Sequence, residues 1–323
     1  MIDGKTVLVT GGTGSFGTKF VEVALTQHAP KRVIVFSRDE LKQHDMQRAI
    51  DDPRLSFFIG DVRDVDRLRR AFEANVDIVV HAAAMKQVPA CEYNPFEAIK
   101  TNVLGSQNVI EAAIDRGVPK VMALSTDKAV NPVNLYGATK LAAEKLFVQG
   151  NSYASGKPTK FSCVRYGNVV GSRGSVIPIF LEQRKTGRIT ITDERMTRFW
   201  LTLDEAVEFV LTGIDKMHGG EVFVPRIPSM SVTDLASVLA PGCKIEITGI
   251  RPGEKLHEVL LSSDEARHAV AYDDMFVIQP EHKWWSDGNF EDGETLPADF
   301  DFSSDSNDRW LSPLELLRLA KAA

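Results

Sequence analysis

Between Ser125 and Lys140 the chain reads STDKAVNPVNLYGATK, which places an aspartate, two lysines and a tyrosine just after an apolar run with strand character. Tyr136 and Lys140 are four residues apart, so on a helix starting at Leu135 they share one face, about 5–6 Å apart at Cβ. A free phenol titrates near ~10, too high for a base at neutral pH, but a cation held close favours the phenolate. Tyr136 would then take a hydroxyl proton while a hydride leaves the same carbon. Taken alone, this spacing more often marks an ordinary Tyr and Lys on a helix surface. Asp127 and Lys128 come just before the turn at Asn131-Pro132, at a strand end, where α/β sheets carry their reactive groups. An acid and a lysine there can serve as general acid and base, because a lysine partly desolvated by a pocket loses proton affinity. The competing reading of that pair is a solvated loop ion pair.

The elements that must hold this segment alternate along the first half of the chain. Residues 5–10 (KTVLVT) are almost continuously apolar, the pattern of a strand buried on both faces. Gly11, Gly12, Thr13, Gly14, Ser15, Phe16 and Gly17 then form a glycine-rich turn opening a helical stretch to about Gln27. Glycines let the backbone turn tightly against a pyrophosphate, and the helix that follows offers its positive end to that anion. A second strand, 32–36, leads to Ser37 and Arg38, with Lys42 one helical turn on. An NAD enzyme usually has Asp or Glu there for the ribose hydroxyls. Arg38 instead suits the 2′-phosphate of NADP through a forked, charge-assisted contact, so NADP is preferred to NAD, with Asp39 arguing the other way.

Strands at 55–59 and 77–81 deliver Asp61, Val62 and the small run Ala82, Ala83 and Ala84, which lets a flat cofactor lie on the backbone or simply allows close packing. Strands at 120–124 and 161–164 deliver Ser125 and Asn168. Strands separated by helices predict an α/β fold, a Rossmann-type doubly wound parallel sheet. The expected domains are a dinucleotide-binding domain over 1–165 and a smaller α+β C-terminal substrate-binding lobe over 166–323, with some segments free to return to the sheet. A loop is expected at 171–176 and an acidic one at 285–308. A last helix should start with Ser312 as cap and Pro313 at its first position.

Composition narrows the function class. At 323 residues, 43% hydrophobic and 25% charged, the chain is an ordinary globular protein. A net charge of −6 gives no electrostatic reason to expect nucleic acid or an anionic membrane as partner. Cys91, Cys163 and Cys243 are far apart with no CxxC spacing, and the histidines form no HExxH pair, so neither a disulfide frame nor a metal site is expected. No apolar run is long enough to span a membrane and the chain enters its first strand without a leader, so the expected location is the cytoplasm.

Gly11, Gly14 and Gly17 together with Tyr136-x-x-x-Lys140 make the chain resemble the extended short-chain dehydrogenases/reductases that modify nucleotide sugars. More narrowly, STDKAVNPVNLYGATK, HAAAMKQVPACEYNP, RYGNVVGSRGSVIP, RFWLT and RPGEKLHE resemble the inverting UDP-N-acetylglucosamine 4,6-dehydratases that begin pseudaminic acid synthesis. The resemblance implies that Tyr136 removes the C4 hydroxyl proton while bound NADP takes the C4 hydride, with Lys140 lowering the tyrosine pKa and holding the ribose. It implies that water leaves across C5 and C6 with Asp127 and Lys128 as acid and base, after which the hydride returns to C6. Retaining dehydratases carry Asp-Glu at that pair, so Lys128 favours reprotonation of C5 on the opposite face. For UDP-GlcNAc it implies contacts from Lys86, Thr126, Asn168 and Val176, a diphosphate grip by Arg198 and Arg251, and ribose contacts from Glu254. Asn102 joins the cofactor residues. For Arg198 a stack on Phe199 or Trp200 is the rival reading, and for residues 251–254 an ordinary turn. A homo-oligomer is expected. The alternatives are a UDP-hexose 4-epimerase, a retaining dehydratase, or an NADP-binding sensor or scaffold without catalysis.

Overall fold

A computed structural model describes residues 1–171, 176–281 and 287–321. The six apolar runs of the first half form parallel strands β1 (Thr6–Thr10), β2 (Arg32–Ser37), β3 (Leu55–Ile59), β4 (Ile78–His81), β5 (Lys120–Thr126) and β6 (Lys160–Tyr166). Their order is β3-β2-β1-β4-β5-β6, so the chain reverses direction across the sheet between β1 and β4. All of β1 and β4 is buried, which explains runs without polar alternation: helices cover both faces. β5 continues past its apolar run through Ser125 and Thr126, which pair with Arg165 and Tyr166. The backbone ladder, rather than side-chain apolarity, carries the strand to the lip of the site.

Helices α1 (Ser15–Gln27), α2 (Glu40–Ala49), α3 (Val65–Phe72), α4 (Val88–Tyr93), α5 (Pro95–Ile99), α6 (Gly105–Arg116) and α7 (Leu135–Tyr153) fill the connections. Between α5 and α6 the backbone widens into a π-helical turn over Lys100–Leu104. α6 packs on α3 and α7, while α1 packs on the later helix Leu203–Lys216. These two groups cover opposite faces of the sheet.

After β6 the chain does not leave the sheet for good. Val222–Pro225 adds a strand parallel to β6, and Met275–Ile278, Ala269–Ala271 and Glu294–Thr295 extend that edge with antiparallel pairing. Among the described residues the sheet has ten strands. Between these returns, a second cluster including Ile177, Phe180, Ile189, Trp200, Leu235 and Leu316 forms a separate core. It is framed by Val176–Arg184, Val232–Leu239 and the parallel pair Arg188–Ile191 with Lys244–Ile247.

Two expectations change here. Of the loop expected at 171–176, residues 172–175 lie outside the described residues, and Val176 already begins a helix. The segment expected to be an acidic loop at 285–308 carries a short 3-10 turn, Asp287–Phe290, and strands Glu294–Thr295 and Phe302–Ser303, with 285–286 outside the described residues. Phe290 and Phe302 anchor it in the core, a contribution that the acidic residues around them hide in the sequence. The last helix, Pro313–Lys321, begins as expected: Glu315 N–H donates to Ser312 Oγ, and the Ser312 N–H and Oγ donate to the Glu315 carboxylate.

Candidate active site

The carboxyl ends of the strands open onto a cavity of about 1150 Å3 that runs from the β1/β4 reversal to the second core. Its cofactor half is backbone first. Gly11 has φ +67°, and a Cβ there would come within 2.9 Å of the Ala83 backbone. Only glycine lets the β1 and β4 ends approach this closely. Gly14 caps α1 without a side-chain hydrogen bond, so the positive end of a 13-residue helix meets a floor of glycines. That is the chemistry a diphosphate needs. Thr13, Ser15, Phe16 and Gly17 line the same wall, and Ser37, Arg38, Lys42, Asp61, Val62, Ala82, Ala83 and Ala84 continue it along the neighbouring strand ends.

At the rim, Arg38 lies 3.5 Å from Asp61, its side chain 60% exposed. The Asp39 carboxylate accepts the Lys42 N–H at 3.0 Å as cap of α2 and pairs with Lys42 Nζ at 2.6 Å. Local structure therefore engages the acid that argued against NADP. Asn102 departs from expectation. It lies beneath the wall, its Oδ1 accepting Met85 N–H and its Nδ2 donating to Met85 O and Thr139 Oγ1. The residue of that π-helical turn which lines the cavity is Thr101, one position earlier.

The reactive segment forms one 3-10 turn, Asp127–Ala129, between β5 and α7. Thr126 Oγ1 donates to Asp127 Oδ1 at 2.8 Å, and Lys128 Nζ donates to the same oxygen at 3.1 Å. Asn134 caps α7 by accepting the Gly137 N–H at 2.8 Å, so Tyr136 and Lys140 follow in the first turns. Gly137 must be glycine, because a Cβ there would overlap the Lys128 carbonyl. Tyr136, Lys140, Asp127, Lys128 and Thr126 all line the cavity.

The electrostatics differ from expectation in two respects. Lys140 donates to the Leu124 carbonyl at 2.6 Å, anchoring α7 to β5, and the cation that favours the Tyr136 phenolate is Lys128. Burial outweighs Lys128 and the hydrogen bond to Thr126, and pushes the phenol up to about 12. Lys128 was expected to lose proton affinity. Burial does work in that direction, but the carboxylates of Asp127 and Glu258 outweigh it and hold the ammonium well above the ordinary lysine range. Lys86 behaves as a desolvated lysine, its pKa lowered by burial.

On the sugar-nucleotide side Lys86, Asn168, Val176, Arg251 and Glu254 line the cavity. Arg198 lines it too, but its fork is engaged: Nη1 donates to Thr197 O at 2.7 Å and Leu256 O at 2.9 Å, and Nη2 to Lys255 O at 3.1 Å. It straps the 251–258 segment instead of standing ready for a bidentate diphosphate grip, and its cation is not stacked on Phe199 or Trp200. Arg251, 70% exposed and 3.8 Å from Glu254, keeps its guanidinium at the rim. The turn it begins docks on α7, because Asn134 Nδ2 donates to Gly253 O at 2.8 Å and Lys255 Nζ to Val130 O at 2.5 Å.

Sequence reading passed over Glu258 and Ser125. Glu258 closes the RPGEKLHE motif, 3.3 Å from Lys128 Nζ. A carboxylate inside an apolar-flanked motif was the available signal. Among the described residues, Ser125 Oγ, Asp127 Oδ2 and Glu258 Oε2 are the buried side-chain polar atoms without a hydrogen-bond partner, and all three are in or beside this cavity.

A family model described as polysaccharide biosynthesis protein matches residues 7–280. The UDP-N-acetylglucosamine 4,6-dehydratase (inverting) of Campylobacter jejuni is 51% identical over 99% of this chain and 98% of its own. A UDP-glucose 4-epimerase of Rickettsia conorii is 44% identical over 85% and 82%. The crystal structure of Pen from Bacillus thuringiensis superposes with a TM-score of 0.91 at 40% identity, covering 100% of this chain and 98% of that one. With its Rossmann-type sheet and these relatives, the chain belongs to the polysaccharide biosynthesis protein family.

Proposed function

We propose that this chain is a UDP-N-acetylglucosamine 4,6-dehydratase that inverts C5, a lyase yielding a UDP-2-acetamido-2,6-dideoxy-L-arabino-hexos-4-ulose. The observation that carries this reading is the Asp127-Lys128 turn joined to Tyr136 through one hydroxyl, Thr126, which bonds both the aspartate and the phenol. A 4-epimerase has use for the tyrosine and lysine but none for a buried acid-lysine pair. A retaining dehydratase would carry glutamate in place of Lys128.

NADP is the cofactor this reading favours. The glycine floor and open α1 end fit its diphosphate, and Arg38 beside an engaged Asp39 fits a 2′-phosphate. When bound, the oxidised nicotinamide supplies a hydride acceptor and a positive charge that favours a nearby phenolate. The chain's own residues do the rest. Tyr136 takes the C4 hydroxyl proton, Lys140 holds the start of α7 against β5, and Asp127 and Lys128 move the protons at C5 and C6. Arg251 at the rim takes the diphosphate, and Lys86, with no counter-charge among the described residues, meets the anionic substrate from the β4 side.

Further features are part of the same proposal. The long motifs shared with the inverting dehydratases support a place in pseudaminic acid or another surface-glycan pathway. Unpaired Cys91 and Cys163, both buried, support a reducing compartment such as the cytoplasm. Tyr93 at 90% and Phe96 at 73% exposure on α4 and α5 support a homo-oligomer.

The test is NMR of the purified protein with UDP-GlcNAc in deuterated water. The expected product is a 4-keto-6-deoxy sugar with deuterium at an inverted C5. A C4 epimer without exchange at C5 would assign the chain to the epimerases, and a deuterated product with C5 retained would assign it to the retaining dehydratases.

A further inference from the structure

We propose that Glu258 is the third member of the proton-handling group: a positioning residue that shares the Lys128 ammonium with Asp127 and makes Lys128 the proton donor of the pair. This rests on the reading of Asp127 and Lys128 as the proton carriers. Lys128 Nζ lies 3.1 Å from Asp127 Oδ1 and 3.3 Å from Glu258 Oε1, a bridge between two carboxylates that are each almost wholly buried. Glu258 is outside the cavity lining, so it acts through Lys128 and not on substrate. Its backbone is pinned on both sides, its N–H donating to Ser304 Oγ at 2.9 Å and its carbonyl accepting Ser304 N–H at 2.8 Å. Ser304 Oγ in turn meets Thr197 Oγ1 at 2.7 Å, which ties the Glu258 backbone to the strand that carries Arg198. A side chain mounted this way keeps its charge at one place.

The charges facing Lys128 are Asp127 and Glu258 on one side of the balance and Arg198 and Lys255 on the other. Arg198 Nε is 3.9 Å and Lys255 Nζ 3.8 Å from Glu258, both beyond hydrogen-bond reach. Tyr136 faces the group as a neutral phenol. If Glu258 loses its charge, Lys128 is left with one carboxylate against two cations, and its ammonium is no longer favoured. A purely structural ion pair would also fill its lone pairs. Here one oxygen of each carboxylate, Asp127 Oδ2 and Glu258 Oε2, has no hydrogen-bond partner, a costly arrangement in a buried site.

The chemical consequence is an order of transfers. A lysine that already carries its proton gives one before it can take one. Removal of the C5 proton then falls to Asp127, which has an open oxygen in the cavity wall. Lys128 N–H breaks as the new C5–H bond forms. The proton gained by Asp127 departs with the C6 hydroxyl as water, and the proton that Tyr136 took from the C4 hydroxyl returns through Thr126 and Asp127 to the neutral amine across their 3.1 Å contact, so that all three groups regain their starting state.

The experiment combines labelling of Lys128 by an amine-reactive anhydride, read by peptide mass spectrometry, with pH profiles. In the unaltered protein the labelling rate should still rise about tenfold per pH unit at pH ~10, and a plateau below that would overturn the proposal. In Glu258→Gln, labelling at pH ~8 should increase roughly tenfold or more, and the basic limb of kcat should move down by about one pH unit, with KM changed less than about twofold. A Glu258→Gln variant that keeps its melting temperature, its labelling rate and its pH limb would also overturn it. If that variant does not fold, labelling of the unaltered protein decides. Asp127→Asn and Lys128→Met separate the two claims. C5 exchange surviving in both would refute the underlying reading, whereas its loss in both with an unmoved Glu258→Gln profile would refute only the role of Glu258.

Discussion

Tyr136 is the residue on which opposing forces are most evenly set. Burial drives its phenol up to about 12, while Lys128 and Thr126 pull it down, so the resting side chain holds its proton until more positive charge arrives. Tyr136→Phe removes the group that carries the proton and leaves the glycine wall untouched. Turnover should fall by at least about 1000-fold, with dinucleotide affinity, measured by fluorescence titration, nearly unchanged. Full activity in that variant would refute the role given to the phenol. Arg38 makes a sharper claim about specificity. Its guanidinium stands at the rim, 60% exposed and 3.5 Å from Asp61, so Arg38→Ala should weaken NADP roughly tenfold or more and NAD far less. Equal losses for the two dinucleotides would contradict recognition of a 2′-phosphate.

Helix α7 is the element that converts sequence spacing into a site. Its cap residue works in two directions, Asn134 Oδ1 closing the first turn and Nδ2 holding the carbonyl of Gly253. The substrate-side turn 251–254 is thereby fastened to the helix that carries Tyr136. The same helix touches the reactive turn at Gly137, where the Lys128 carbonyl occupies the space of a side chain. Gly137→Ala should force the 3-10 turn away from the helix and lower kcat by roughly 100-fold or more, because a displacement near 1 Å at a catalytic group has that effect. Circular dichroism should still report a folded sheet. Near-normal turnover in Gly137→Ala would show that the turn and the helix move independently. The Tyr-x-x-x-Lys spacing was legible from the sequence. The destination of Lys140 was not, because the Leu124 carbonyl it reaches belongs to a strand that only the fold brings beneath it.

At the scale of the whole molecule, Arg165 on β6 ties the site helix to the returning half of the chain. It is completely buried and meets Glu144 of α7 at 2.6 Å and Glu265 at 2.7 Å. Burial acts to raise the Glu265 carboxyl, but Arg165 and the bonds from Ser262 outweigh it and bring it down to about 2 from an ordinary 4.5. A carboxylate depressed in the folded state contributes stability that is present above its unfolded pKa and lost as pH falls through its folded one. Stability tied to Glu265, on the order of 3 kcal/mol, should therefore disappear between about pH 4.5 and 2. Urea midpoints should fall across that window in the unaltered protein. Glu265→Gln should begin less stable at neutral pH and lose less on acidification, and parallel curves would show that the ion triad does not govern acid stability. What the sequence by itself determined was local: six apolar runs, the glycine turn, the serine-proline start of the last helix and the order of the reactive residues, all set by short-range periodicity and backbone chemistry. Only the tertiary structure decided which charges meet. Glu258 beside Lys128, Arg198 across the 255–256 carbonyls and Glu265 against Arg165 are contacts between segments far apart in the chain, and a charge buried among such neighbours takes its protonation from them and not from its own position in the sequence.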